Sequence, residues 1–253
     1  MAKQLIKKPR LTKQQRPAKK KVFIIDDHPV FRYGLAQLVN REPDLTVCGE
    51  VENTNDALDT VPRLKPDLVL LDLSMPGKNG LELIKDLRVM CPETVVLVIS
   101  MHDETLYADR VLRAGAQGYI MKQEVPQKML EAMREVLNGR ISVSPKISAK
   151  ALDFFAKRRS VNATSPIERL SDREFEILQL IGQGRENHGI ADQLHLSFKT
   201  VHAHRTNIKV KLNLKSDLEL IRYSVRWMDS CDVPTATNGA IKNGAAPVGH
   251  SLA

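Results

Sequence analysis

From Val22 onward the chain alternates between short apolar runs and longer segments of mixed polarity. This alternation constrains the fold more than any other feature. The runs are VFIID (22–26), LTVCGEV (45–51), DLVLLD (67–72), TVVLVIS (94–100) and QGYIMK (117–122). Segments with helical spacing follow them at 29–40, 54–64, 79–90, 103–114 and 125–138. A strand with one face in water alternates apolar and polar residues, and the central runs do not. They must be covered on both faces, as in a parallel sheet between two layers of helices. Five such units predict an α/β domain over 22–138, a five-stranded parallel doubly wound (βα)5 sheet.

In such sheets ligands bind beyond the carboxyl ends of the strands. The first run ends in Asp26-Asp27, the third in Asp72, the fourth in Ser100 and the fifth in Lys122. Three clustered carboxylates repel one another, so each resists ionising. A hard divalent cation removes the conflict, and a few oxygen ligands with room left for water and phosphate suit Mg²⁺. Lys122 adds a point charge for a phosphoryl group. Asp72 becomes a nucleophile that carries the group as an acyl phosphate. Ser100 offers a hydroxyl to one of its oxygens. A lone Asp at a strand end is more often a turn former. Five matching positions at four strand ends favour the phosphoryl site. Pro76, Gly77 and Gly80 are expected to turn the chain around it and into the next helix.

The second half reads differently. Residues 139–165 form a linker with a short helix, which Ser144 can cap and Pro145 can start. Beyond Pro166 only helical spacing remains, at about 171–182, 187–194, 198–212 and 216–228. SDRE (171–174) and SDLE (216–219) both fit a capping box. Within 187–212, Ser197 is a good N-cap, and Val201, Ile208 and Leu212 share one face that can dock on other helices. The opposite face carries Lys199, Ala203 and Thr206, flanked by His202, Asn207 and Lys209. Donors around a small side chain are what a helix in the major groove requires. The stretch 198–226 holds seven Lys/Arg against two acids. A solvated face would look similar, and on residue pattern alone DNA binding is only slightly favoured. His202 and His204 point about 200° apart on a helix, which argues against a shared metal.

The net charge of +8 conceals an asymmetry. Residues 1–21 hold nine bases and no acid, whereas 22–138 hold 12 bases and 19 acids. Residues 1–21 read as a disordered basic tail, either solubilising or touching phosphates, and 232–253 as a disordered tail. Cys48, Cys91 and Cys231 have no CxxC spacing, so neither a disulfide framework nor a zinc site is expected, and Cys48 reads as core. No apolar run approaches a membrane span, so a cytoplasmic protein without a membrane partner is expected.

IIDDHP, LLDLSMPGKNG, VIS and GYIMK resemble the signature of bacterial two-component receiver domains across 22–138. DDHPVFRYGLAQLV and SMHDE resemble the NarL/FixJ branch. This resemblance implies that Asp72 takes phosphate from a sensor histidine kinase. It implies Mg²⁺ on Asp27, on Asp26 through water, on Asp72 and on the Ser74 backbone carbonyl. It also implies a switch formed by Ser100 and Tyr119. Ser74 departs from the Asn frequent at its position, which borders the water that hydrolyses the acyl phosphate.

LSDREFEILQLIGQG, IADQLHLSFKTVHAHRTNIKVKL and ELIRYSVRW resemble the LuxR-type four-helix DNA-binding domain, here 166–231, with its helix-turn-helix at about 187–206. Base contacts are then implied at His202, Ala203 and Thr206, and phosphate contacts at Lys199, Thr200 and Lys209. His188 and Gly189 depart from the usual basic-acidic pair. Together these imply a cytoplasmic transcriptional response regulator, not an enzyme, with double-stranded promoter DNA and a sensor kinase as partners. A homodimer is expected when it is phosphorylated or DNA-bound, and RNA polymerase stands as a further candidate partner. Two alternatives stay open: a phosphorylation-independent DNA-binding regulator with the receiver as dimer interface, and, more weakly, an aspartate-nucleophile phosphatase.

Overall fold

The structure is a computed structural model that describes residues 18–75, 79–149 and 166–232. Five strands are β1 (Lys20–Ile25), β2 (Leu45–Val51), β3 (Leu68–Leu71), β4 (Val95–Ser100) and β5 (Gly118–Met121). They form one parallel sheet in the order β2-β1-β3-β4-β5. Helices α1 (Pro29–Asn40), α2 (Thr54–Leu64), α3 (Gly80–Met90), α4 (Glu104–Ala114) and α5 (Pro126–Leu137) follow the strands in turn. The order reverses between β1 and β3, so the ends of these two strands, which carry Asp26 and Asp72, flank the switch point of the sheet.

β1 begins at Lys20, two residues before the apolar run, because Lys20 and Lys21 still pair with β2. Lys20 Nζ also lies 2.8 Å from Asp67 Oδ1. These two lysines therefore belong to the sheet rather than to the expected tail. The rest of both expected tails, apart from Ala18, Lys19 and Asp232, falls outside the described residues. So do Pro76, Gly77 and Lys78, and the linker from 150 to 165.

One face of the sheet packs Ile24, Leu70 and Leu97 against α1 and α5. The other packs Phe23, Val69 and Val98 against α2, α3 and α4. Burial on both faces explains the unbroken apolar runs. The linker opens as anticipated: residues 145–149 are helical and Ser144 Oγ accepts the Ile147 N–H (3.3 Å).

The C-terminal unit holds a 3₁₀ turn (Pro166–Arg169) and helices α6 (Asp172–Gly182), α7 (Asn187–Gln193), α8 (Phe198–Leu212) and α9 (Asp217–Asp232). Ser171 and Glu174 complete a capping box at α6. At α9 the box is half made. Ser216 Oγ accepts the Glu219 N–H (3.2 Å), but the Glu219 carboxylate takes the Lys215 N–H (2.7 Å) instead of that of Ser216.

The core of this unit, including Phe175, Ile190, Val201 and Ile208, is continuous with the α2–α4 side of the sheet. Arg110 on α4 holds the seam. It donates to Leu170 O (3.1 Å), Ile167 O (2.8 Å) and Asp172 Oδ1 (3.1 Å), and its guanidinium lies 4.1 Å from the centre of the Phe175 ring. Lys85 on α3 reaches Asp172 Oδ2 at 2.7 Å. Tyr107 on α4 donates to Gln179 Oε1 on α6 at 2.5 Å. The seam thus combines this shared apolar core with polar side chains on facing helices, whose partners the sequence does not announce.

Candidate functional site

The strand ends converge as the sequence predicts. Asp72 directly follows β3, its N–H bonded to Ile25 O (2.9 Å), and its side chain is 1% exposed. Lys122, just past β5, is tied by its N–H to Ser100 O (2.8 Å). Its ammonium lies 2.7 Å from Asp72 Oδ2 and 2.8 Å from Asp26 Oδ2, and 4.7 Å from the centre of the Phe31 ring. Burial raises the pKa of Asp72, and Lys122 works against that rise. Asp27 is more open than Asp26, its side chain 28% exposed against 3%.

His28 is the residue that sequence reasoning passed over. It precedes α1 at the N-cap position, and its Nδ1 lies 2.8 Å from Asp27 Oδ1, 3.4 Å from Asp26 Oδ1 and 3.7 Å from Asp72 Oδ2. The only available signal was adjacency to the Asp26-Asp27 pair. Ligand atoms of Asp26, Asp27, His28 and Asp72 all lie within 4.8 Å of one another. Asp27 Oδ1 makes no well-formed hydrogen bond although it is buried. Three carboxylates whose oxygens converge in this way fit a divalent cation. Ser74 stands at the mouth with its N–H on Asp72 Oδ1 (3.2 Å).

Gly80 permits the start of α3 to lie close against Leu73. A Cβ there would sit 2.9 Å from Leu73 Cα. Ser100 is fully buried at the end of β4. Tyr119 is buried too, its hydroxyl donating to His102 O at 2.7 Å, and burial raises its pKa. His102 Nε2 lies 2.7 Å from Ser74 Oγ, and the ring stacks on Tyr107 at 4.6 Å. Burial, and after it the Lys122 charge, lower the His102 pKa.

On α8 the two faces separate as expected. Val201 and Ile208 are fully buried, and Leu212 is half-buried against the same core. Lys199, His202, Ala203 and Thr206 are exposed, although the unit is docked on the receiver. Thr200 is half-buried at the helix start, where its N–H donates to Ser197 Oγ (3.0 Å). Lys209 is also half-buried, its ammonium 3.0 Å from Asp217 Oδ1. Arg205 was not anticipated. It is buried, donates to Asn187 Oδ1 (2.9 Å) and lies 3.6 Å from Asp217, so it joins α7, α8 and the start of α9. His188, a departure from the family pattern, stacks on Phe198 at 4.7 Å.

Two family models match the chain, the response regulator receiver domain over residues 22–134 and the luxR family of bacterial regulatory proteins over 168–224. The oxygen regulatory protein NreC of Staphylococcus aureus (strain JH9) is 39% identical over 210 residues, covering 81% of this chain and 97% of NreC. NreC of Staphylococcus haemolyticus is 38% identical over the same length. Among solved structures, RcsB from Salmonella enterica serovar Typhimurium, bound to promoter rprA with the phosphomimetic BeF3−, superposes with a TM-score of 0.56. That match has 26% identity over 82% of this chain and 99% of RcsB. A LuxR-family response regulator from Aurantimonas sp. SI85-9A1 matches at TM-score 0.50 and 29% identity, over 56% of this chain and 100% of its own. No helix among the described residues is long and apolar enough to cross a membrane. These matches describe transcriptional regulators rather than enzymes, which leaves the phosphatase alternative without support. The chain belongs to the NarL/FixJ family of DNA-binding two-component response regulators, a receiver domain joined to a LuxR-type helix-turn-helix.

Proposed function

We propose that Asp72 accepts a phosphoryl group from the phosphohistidine of a sensor histidine kinase, and that this controls dimerisation and promoter binding by residues 166–231. The observation that carries the reading is the buried Asp72 carboxylate, held 2.7 Å from the Lys122 ammonium with Asp26 and Asp27 beside it. In the transfer an Asp72 oxygen bonds to phosphorus as the phosphorus–nitrogen bond breaks. The electron pair returns to the imidazole nitrogen, which takes a proton from solvent. Asp72 must be ionised to do this, and Lys122 offsets the burial that opposes ionisation.

Asp26, Asp27, Asp72 and the Ser74 carbonyl would hold Mg²⁺, with His28 placed to join them or to orient Asp27. The ion supplies charge compensation for the phosphoryl oxygens. Ser100 is placed to take one of those oxygens, with Tyr119 following its movement. Lys199, Thr200 and Lys209 would meet DNA phosphates, and His202, Ala203 and Thr206 base edges. The promoter-bound RcsB structure supports a comparable binding mode. Work on promoter DNA implies a cytoplasmic setting, with RNA polymerase as a further partner.

Lys199, His202, Ala203 and Thr206 are exposed while the unit is docked. Control therefore acts through domain placement and dimer assembly rather than by covering α8. The test is intact mass after incubation with Mg²⁺ and acetyl phosphate. Wild type should gain one phosphoryl group and Asp72→Asn none; equal gain in both would contradict the assignment.

A further inference from the structure

A chain of contacts runs from the acceptor loop into the DNA-binding unit. Ser74 Oγ is 2.7 Å from His102 Nε2. The His102 ring stacks on Tyr107 at 4.6 Å. Tyr107 Oη donates to Gln179 Oε1 on α6 at 2.5 Å. The far end is rigid, because Tyr107 is buried and also meets the Phe175 ring edge-on at 5.4 Å. The near end is anchored by the Tyr119 hydroxyl on the His102 carbonyl. Ser74, His102, Tyr107 and Gln179 all line one cavity of about 230 Å³ at the seam between the domains, and Asp27 lines it too. A cavity of that size, lined by both polar and apolar side chains, has room for several waters beside its polar groups.

We infer that the docked DNA-binding unit sets the lifetime of the phosphoryl group on Asp72 through Gln179, Tyr107 and His102, which hold the Ser74 hydroxyl away from the attacking water. The inference rests on Asp72 being the acceptor. In hydrolysis a water oxygen bonds to phosphorus, the bond from phosphorus to the Asp72 oxygen breaks, and its electron pair stays on the carboxylate. The proton of the water passes to solvent and inorganic phosphate leaves. Water for this step comes from the seam cavity, whose walls belong to both domains. With the relay intact, the Ser74 hydroxyl is committed to His102. With the relay loosened, it is free to orient a water beside Asp72. Tyr107, His102 and Gln179 are positioning residues, since none of them touches the reacting atoms.

Two variants of the full chain loosen the relay from its far end. Tyr107→Phe keeps the stack and deletes only the hydroxyl. Gln179→Ala lies in the other domain. The chains are charged with acetyl phosphate and Mg²⁺, the donor is removed, and loss of the phosphoryl group is followed by intact mass. Both variants should lose it faster than wild type, by roughly two- to tenfold, the range one hydrogen bond commands. A Ser74→Ala background should abolish the difference, which a general loosening of the fold would not do. Decay at the wild-type rate in both variants, or an acceleration that persists without the Ser74 hydroxyl, overturns the inference. A wild-type chain that takes up no phosphoryl group overturns the acceptor assignment and the inference with it.

Discussion

Lys122 serves two buried carboxylates at once, Asp72 at 2.7 Å and Asp26 at 2.8 Å, with its own side chain only 4% exposed. Removing one member of such a group leaves uncompensated buried charge, which costs about 3–5 kcal/mol. Lys122→Ala should therefore lower the melting temperature in metal-free buffer, and millimolar Mg²⁺ should recover part of the loss by taking over the carboxylates. Calorimetry with and without Mg²⁺ measures both effects; a variant as stable as wild type without metal would contradict the pairing. Asp26, Asp27, Asp72, Ser100 and Lys122 were legible in the sequence because a parallel sheet gathers its strand ends at one edge. His28 was not, because it sits at the mouth of α1 rather than at a strand end, and its partners come from β1 and β3. Arg205 was hidden for another reason. It lies in a polar, basic helix, and only the fold reveals that it turns inward to Asn187 and Asp217.

At the scale of elements, helix limits followed the apolar spacing closely, since burial and capping both act locally. The Ser171–Glu174 box formed because both partners sit at the helix start, whereas Glu219 was drawn to the neighbouring Lys215 N–H. Helix α7 is short and carries Gly189, whose missing side chain would meet nothing within 4 Å. Gly189→Ala should therefore stabilise the C-terminal unit by about 0.5–1 kcal/mol, since alanine loses less freedom in a helix. A denaturant titration of the full chain should show a higher midpoint, and a lower one would mean that the helix start needs glycine. The short 3₁₀ turn at Pro166–Arg169 escaped the sequence because four residues carry no period.

The docking of the two units belongs to the whole molecule, and the sequence did not show it. Its anchors, Arg110, Lys85, Tyr107 and Gln179, read as ordinary surface residues until both domains are in place. Arg110→Ala removes three hydrogen bonds and the Phe175 contact, so it should expand the chain and expose 166–170 to proteolysis. Scattering and limited digestion would report this; an unchanged radius and digestion pattern would show that the seam does not depend on it. Glu176 adds a pH dependence. Burial pushes its pKa up to about 7, with Arg173 and Asn79 opposing that rise and Asp172 adding to it. A group whose pKa is raised in the closed form stabilises that form at low pH, and the contribution is lost as pH climbs through the raised value. Docking of the unphosphorylated chain should thus be tighter at pH 6 than at pH 8, and Glu176→Gln should flatten the difference. If wild type and Glu176→Gln open alike over that range, Glu176 has no part in closure.

The central claim is that phosphorylation of Asp72 governs what the helix-turn-helix does. The most direct measurement is retention of a target-promoter library on the full chain, with Mg²⁺ present, before and after acetyl phosphate, for wild type and Asp72→Asn. The account predicts that retention by wild type changes on phosphorylation, with a rise in dimer, while that of Asp72→Asn stays fixed. Identical retention by phosphorylated and unphosphorylated wild type would contradict it, and would point to a regulator that binds DNA whatever the state of its receiver.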